Sequence, residues 1–333
     1  MRKIYLLLVL FLAIFHICKA QHIYPIANFT DNVKDITLNG FDFNDSVLFV
    51  PLGESGLHML SISDINNIHE IGVYSEYEIR SRKRVYGVAY NVEVINNRAY
   101  LSYGPLGLKI LDISDPAMSF PIGKYYRYED VFCTEVFEQY VFLGYKDMGL
   151  EIINISNLSD IKMVSRNNVK DFKVQNIQIM PPYVYISGKN NGLKIFKFSE
   201  PFYEFKSDGF PRDFIPENEV NKFLVKGKAG YIANDFRGLT VVNIGLPSYP
   251  VEVFNLKTGG RAVDMLLDKD YLYVVCGKCI EVYDIKEPEK PFKTHEFVDK
   301  SKQFVSIKMK GANLYALYDN GRNSYGIMVF QVE

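Results

Sequence analysis

One nine-residue phrase recurs along this chain and limits what it can fold into. It reads SGLHMLSIS (55–63), LGLKILDIS (106–114), MGLEIINIS (148–156), NGLKIFKFS (191–199), RGLTVVNIG (237–245), KCIEVYDIK (278–286) and YGIMVFQVE (325–333). A second apolar phrase precedes each copy: VLFVPL, RAYLSY, YVFLGY, YVYISG, GYIAND, YLYVVC and NLYALY. The seven cores step by 41 to 51 residues, a period typical of solenoids, arrays and propellers. The cores are rich in Val, Ile, Leu, Tyr and Phe, which favours strands, and Gly, Asn, Asp, Ser and Pro fill the turns between them. Beyond the first twenty residues no segment shows a 3.6-residue apolar period, so helical repeats are excluded.

Each period holds four strands. In the second unit they fall near 88–95, 98–103, 108–113 and 121–127. Four short antiparallel strands per repeat make the blade of a β-propeller, and seven copies predict an all-β, seven-bladed ring. The apolar run of LKILDI fits a strand packed between neighbouring blades. The Gly before the Leu or Ile, present in every copy but KCIEVYDIK, marks a turn expected to need positive φ. The polar residue near the end of each phrase (Asp112, Asn154, Asn243, Asp284) is expected to accept backbone N–H groups of the following turn. The seventh unit runs out of chain after three strands. Tyr24-Pro25-Ile26-Ala27-Asn28-Phe29 resembles the outer strand of the second unit, FPIGKYY, and is expected to supply the missing strand and close the ring.

LKILD, LEIIN, LKIFK, LTVVN and IEVYD resemble the motif of the LVIVD-repeat family of secreted or surface β-propellers, over about residues 46–333. Ser61, Lys197 and Gln331 depart from its acidic position. The resemblance implies a fold and an extracellular setting, and no particular activity. The absence of Trp argues against WD40 blades, and the single Gly259-Gly260 pair against kelch.

The first twenty residues read as a secretory signal peptide. Arg2-Lys3 precedes an apolar run over 4–17, and Ala20 closes a cleavage site before Gln21, leaving 21–333 as the propeller. The run is shorter than the roughly 20 residues that cross a bilayer. A lipoprotein site at Cys18 ranks second, because Phe15-His16-Ile17 lacks the small residues such a site prefers. Secretion to the exterior, a periplasm or the cell surface is the expectation, with no transmembrane segment in the mature chain. Sequons stand at Asn28, Asn44, Asn154 and Asn157.

Net charge is −1, so no global field draws in nucleic acid. The P-loop, the G-x-S-x-G elbow, H-E-x-x-H and an EF-hand spacing are all missing, and no cofactor, metal or catalytic residue is indicated. Cys276-Gly277-Lys278-Cys279 flanks a two-residue turn, where flanking Cα atoms lie about 5.5 Å apart, so a hairpin disulfide stands slightly ahead of two free thiols. Cys133 reads as a buried small residue.

The turns between second and third strands share a face with the connections between blades. That rim gathers Lys146, Asp147, Lys189, Asn190, Asp235, Arg237 and Arg322. It also gathers two long connections, 78–87 with Arg80, Arg82 and Arg84, and 207–220 with Arg212 and Asp213. The expected function is a monomeric binding or adhesion scaffold for a protein or glycan partner. The alternatives are an extracellular hydrolase or lyase working at the central funnel, and a purely structural envelope module. Convergent carboxylates at the funnel mouth would favour the enzyme.

Overall fold

A computed structural model of the chain describes residues 21–34, 36–169, 172–188, 192–199, 204–205, 219–247, 249–321 and 323–333. Seven four-stranded antiparallel sheets form a propeller. In blade 2 the strands run Asn91–Ile95, Arg98–Ser102, Leu108–Asp112 and Phe120–Tyr125, from the axis outward. Blades 3, 5 and 6 repeat this order, and blade 4 ends on a two-residue outer strand, Glu204–Phe205. The second and third strands of a blade lose both faces to neighbouring blades. Every residue of Val47–Pro51, Tyr140–Tyr145 and Ala229–Ala233 is buried, whereas no residue of the outer strand Phe120–Tyr125 is.

In four blades the Asp or Asn ending the third strand caps the next turn as expected. Asp112, Asn154, Asn243 and Asp284 accept the N–H of Ser114, Ser156, Gly245 and Lys286 at 2.8–2.9 Å. At Gly107, φ is +78° and a Cβ would stand 2.2 Å from the Tyr125 carbonyl oxygen, so only glycine fits the turn.

Closure follows the sequence. Ile23–Asn32 pairs antiparallel with Ser324–Val332, from Ile23 opposite Val332 to Asn32 opposite Ser324, with a bulge between Pro25 and Ala27. Blade 7 is thus built from both ends of the described chain. Its seam with blade 1 is an apolar cluster in which Tyr315, Leu317 and Val329 meet Leu48 and Val50.

Backbone bonds lock successive blades on one face. Ala89 donates to Gly53, Val131 to Gly104, Val174 to Tyr145, Ala262 to Asp235 and Phe304 to Gly277, at 2.7–3.2 Å. The Gly277 carbonyl belongs to the turn between Cys276 and Cys279, whose sulfurs are joined, with Cα atoms 5.1 Å apart. Cys133 is a buried free thiol, its pKa raised by desolvation.

Candidate binding rim and central channel

Connections between blades leave the ring on the same face as these locking bonds. The connection from blade 1 to blade 2 folds as an extra hairpin, Tyr77–Arg80 against Lys83–Tyr86, turning at Ser81 and Arg82 with φ of +50° and +64°. Alternation along a strand gives this hairpin two faces. The inner face carries Glu78, Arg80 and Val85. Val85 packs against the core between blades 1 and 2. The outer face carries Tyr77, Ile79, Arg84 and Tyr86, with Ile79 71% exposed and Arg84 stacked over Tyr77.

A buried cation fixes the base of the hairpin. Lys109, in the third strand of blade 2, is 2% exposed, and its Nζ lies 2.9 Å from Glu76 and 3.4 Å from Glu78. Glu76 also accepts the Tyr74 hydroxyl, and its backbone N–H donates to Tyr103 Oη at 2.9 Å. Arg80 bonds Glu78 at 2.8 Å and the Pro105 carbonyl at 2.8 Å, and its guanidinium lies 3.8 Å above the Tyr126 ring. The Arg80 bond, and Lys109 beside it, hold the Glu78 carboxyl below its ordinary range. Tyr126 meets Tyr128 edge-on at 5.3 Å, and Tyr128 is 94% exposed. An exposed patch of aromatic and basic groups therefore stands on an ion-paired base.

The position held by Lys109 is buried in other blades too. Glu151 binds Arg166 at 2.6 Å, Arg127 at 3.4 Å and the Tyr145 hydroxyl at 2.6 Å. Glu281 accepts the Tyr283 hydroxyl at 2.5 Å, the Gly259 N–H at 3.0 Å and Lys293 at 3.2 Å. Beside Glu281 sits the Cys276–Cys279 disulfide, whose sulfurs, being bonded to each other, are not thiolates that could hold a metal.

The other rim residues named from the sequence divide. Arg82 and Arg84 are exposed at the hairpin tip, and Lys146 and Asp147 are exposed on the turn between the second and third strands of blade 3. Asp235 is 6% exposed and bound to Arg261 at 2.5 Å, and Arg237 makes a two-pronged pair with Glu252 at 2.7 and 2.5 Å, so both act within the scaffold. Lys189, Asn190, Arg212, Asp213 and Arg322 lie outside the described residues, as do residues 1–20.

The innermost strands enclose a polar channel of about 590 Å³ that opens on the rim face. Its walls carry a second set of links between blades. Asp42 accepts the Val94 N–H at 2.7 Å, Glu93 the Val136 N–H at 2.8 Å, Asn176 the Phe223 N–H at 3.3 Å and Asp264 the Ile307 N–H at 3.0 Å. Lys308 pairs with Asp42 at 2.6 Å across the seam where the ring closes. Burial raises the pKa of Glu93 and of Glu135; the charge of Glu135 raises Glu93 further, whereas Lys222 and Lys308 act against the rise at Glu135.

Four copies of a repeat model, the LVIVD repeat, match residues 86–125, 134–169, 173–201 and 220–258. These copies fall on successive blades of the ring described above. The chain is an LVIVD-repeat β-propeller. No curated protein matches it. Among solved structures, a chain of a mitotic checkpoint complex superposes with a TM-score of 0.69 at 9% identity, covering 99% of this chain and 98% of that one. The WD40 propeller domain of Doa1 gives 0.69 at 9% identity, with coverage of 92% and 97%. A computationally designed protein, Ika8, gives 0.61 at 10% identity, with coverage of 90% and 98%. At such identities these likenesses speak for the propeller fold alone.

Proposed function

We propose that this LVIVD-repeat propeller is an exported binding scaffold that engages an acidic protein partner through the rim around the 77–86 hairpin. One observation carries the reading: the outer face of the hairpin exposes Tyr77, Ile79, Arg84 and Tyr86 while its inner face is tied down by Lys109 and Arg80. Aromatic and Arg side chains dominate binding hot spots, and a surface ordered beforehand loses less entropy on association. Arg82, Lys83 and Arg84 at the tip select for negative charge. Immobilised mature chain should capture a partner from the native envelope or medium. Charge reversal at Arg82 and Arg84 should weaken capture at least ten-fold while leaving the melting curve in place. Equal capture by wild type and variant would remove the hairpin from the site. Loss of capture after glycosidase treatment of the extract would make the partner a glycan.

A hydrolase or lyase at the funnel is the second reading, favoured by the convergence of Asp42, Glu93, Glu135 and Asp264 on one channel. Three of these carboxyls accept backbone N–H groups of the next blade. Those bonds give them a structural task in the ring, which is why the scaffold reading ranks first.

A further inference from the structure

Four carboxyls, Asp42, Glu93, Glu135 and Asp264, and four cations, Lys173, Lys222, Arg261 and Lys308, line the channel, but they are not evenly paired by direct bonds. Asp42 has Lys308 and the Val94 N–H. Asp264 accepts the Ser306 hydroxyl at 2.7 Å and the Ile307 N–H, with Lys222 at 3.9 Å. Arg261 is held by Asp235 and Glu219. Glu93 and Glu135, on adjacent blades, are left over. Glu93 accepts only the Val136 N–H, and Glu135 accepts no hydrogen bond among the described residues. Both line the cavity, with Asn91 and Gln175 in the same wall, and a volume near 590 Å³ is in the range of small-ligand sites.

Two partly buried carboxyls with unfilled acceptor positions call for a donor-rich cation. A divalent metal is a poor fit, since Ca²⁺ takes about six to eight oxygen ligands, whereas the pair offers four carboxylate oxygens, one of them already accepting the Val136 N–H. An ammonium group is a good fit. It is compact, carries three donors, and forms charge-assisted bonds that strengthen away from bulk water. An anion is disfavoured, because Lys308 and Arg261 already have carboxylate partners.

We propose that Glu93 and Glu135 form a binding site for an organic ammonium group that enters the channel from the rim face. The group belongs to a free diamine or to a lysine side chain of a partner. One bound ammonium offsets one carboxylate charge of the pair, and a carboxyl that ionises on binding gives its proton to solvent. Asp42, Lys222 and Lys308 also face Glu135, and Lys173 stands near Cys133, so the two lysines nearest the pair set an upper limit on affinity without occupying its acceptor positions.

Calorimetry on the mature chain with 1,4-diaminobutane, with a lysine-containing tripeptide and with doubly N-acetylated 1,4-diaminobutane tests this. At least one amine should bind saturably and more tightly at pH 8 than at pH 6, because both carboxyls hold their protons above the ordinary range. Glu135→Gln and Glu93→Gln should each weaken binding at least ten-fold, and the acetylated compound should not bind. Binding of the tripeptide alone assigns the ammonium to a partner's lysine, and binding of the diamine assigns it to a free ligand. The Arg82/Arg84 charge reversal should leave amine binding unchanged, which keeps this site separate from the rim. Failure of both amines to bind at millimolar concentration would overturn the proposal. So would equal binding by the acetylated compound, or wild-type affinity in a folded Glu93→Gln/Glu135→Gln variant.

Discussion

The closing strand offers a sharp test of how the ring is held, through Ile23→Ala. Ile23 is 2% exposed and packs with Phe304, Leu314, Met328 and Phe330 in the core between blades 6 and 7. Truncating a buried Ile to Ala costs about 2–5 kcal/mol, from lost transfer energy and the cavity left behind. A strand near the chain end can relax toward the gap, so the lower half of that range, about 2–3 kcal/mol, is expected. For a domain this large each kcal/mol lowers Tm by about 2 °C, giving a fall of roughly 4–6 °C. The distribution of the loss is as informative as its size. If Ile23–Asn32 closes the ring, the variant should melt in a single transition, and amide exchange should rise in blades 1 and 7 together. Thr30→Ala, exposed on the same strand, should change stability by under about 0.5 kcal/mol. An unchanged Tm for Ile23→Ala, or exchange rising only in residues 21–32, would show that the strand is an accessory and would refute the closure account.

Three other predictions follow from particular contacts. Lys109→Met leaves the Glu76 and Glu78 carboxylates without their buried ammonium, so the Tm should fall by several degrees and amide exchange in 77–86 should rise at least ten-fold, and an unchanged Tm with unchanged exchange would contradict the role given to Lys109. Because Glu93 and Glu135 titrate above the ordinary carboxyl range, the folded ring binds more protons than the unfolded chain from about pH 4.5 to about 9. Their contribution to stability is therefore present at acid pH and declines as pH rises through that window, and urea titrations of Glu135→Gln should show a flatter pH profile than wild type. Mass spectrometry of the exported protein should find its N-terminus at Gln21 or within two residues, and an intact Met1 or a lipidated Cys18 would contradict the processing proposal.

The blade count was legible because the third strand of each blade carries its own signature. A turn glycine such as Gly107 and a capping Asp112 or Asn154 recur in most blades, and the doubly buried apolar strand recurs in all of them. Closure was legible because blade 7 ran out of residues. The hairpin was harder to read. Its turn at Ser81-Arg82 adopts positive φ at both residues without the Asn-Gly or Gly that usually announces it, so 78–87 looked like a charged loop. Lys109, Glu151 and Glu281 were missed for a related reason. Each sits at the polar position of an alternating strand, which reads as solvent-facing, whereas here it is covered by side chains from the outer strand and the rim. The channel links were not legible at all. Asp42, Glu93 and Asp264 reach backbone groups 52, 43 and 43 residues away, in strands that share no motif, and only the ring brings them together.

The most direct measurement is amide hydrogen exchange of the mature propeller with and without its captured partner. The scaffold account predicts that protection gained on binding falls on 77–86 and 126–128, with the outer strands of blades 5 and 6 unchanged. Protection confined to those outer strands, where Val253 and Phe292 are exposed, with the hairpin exchanging as freely as before, would contradict it.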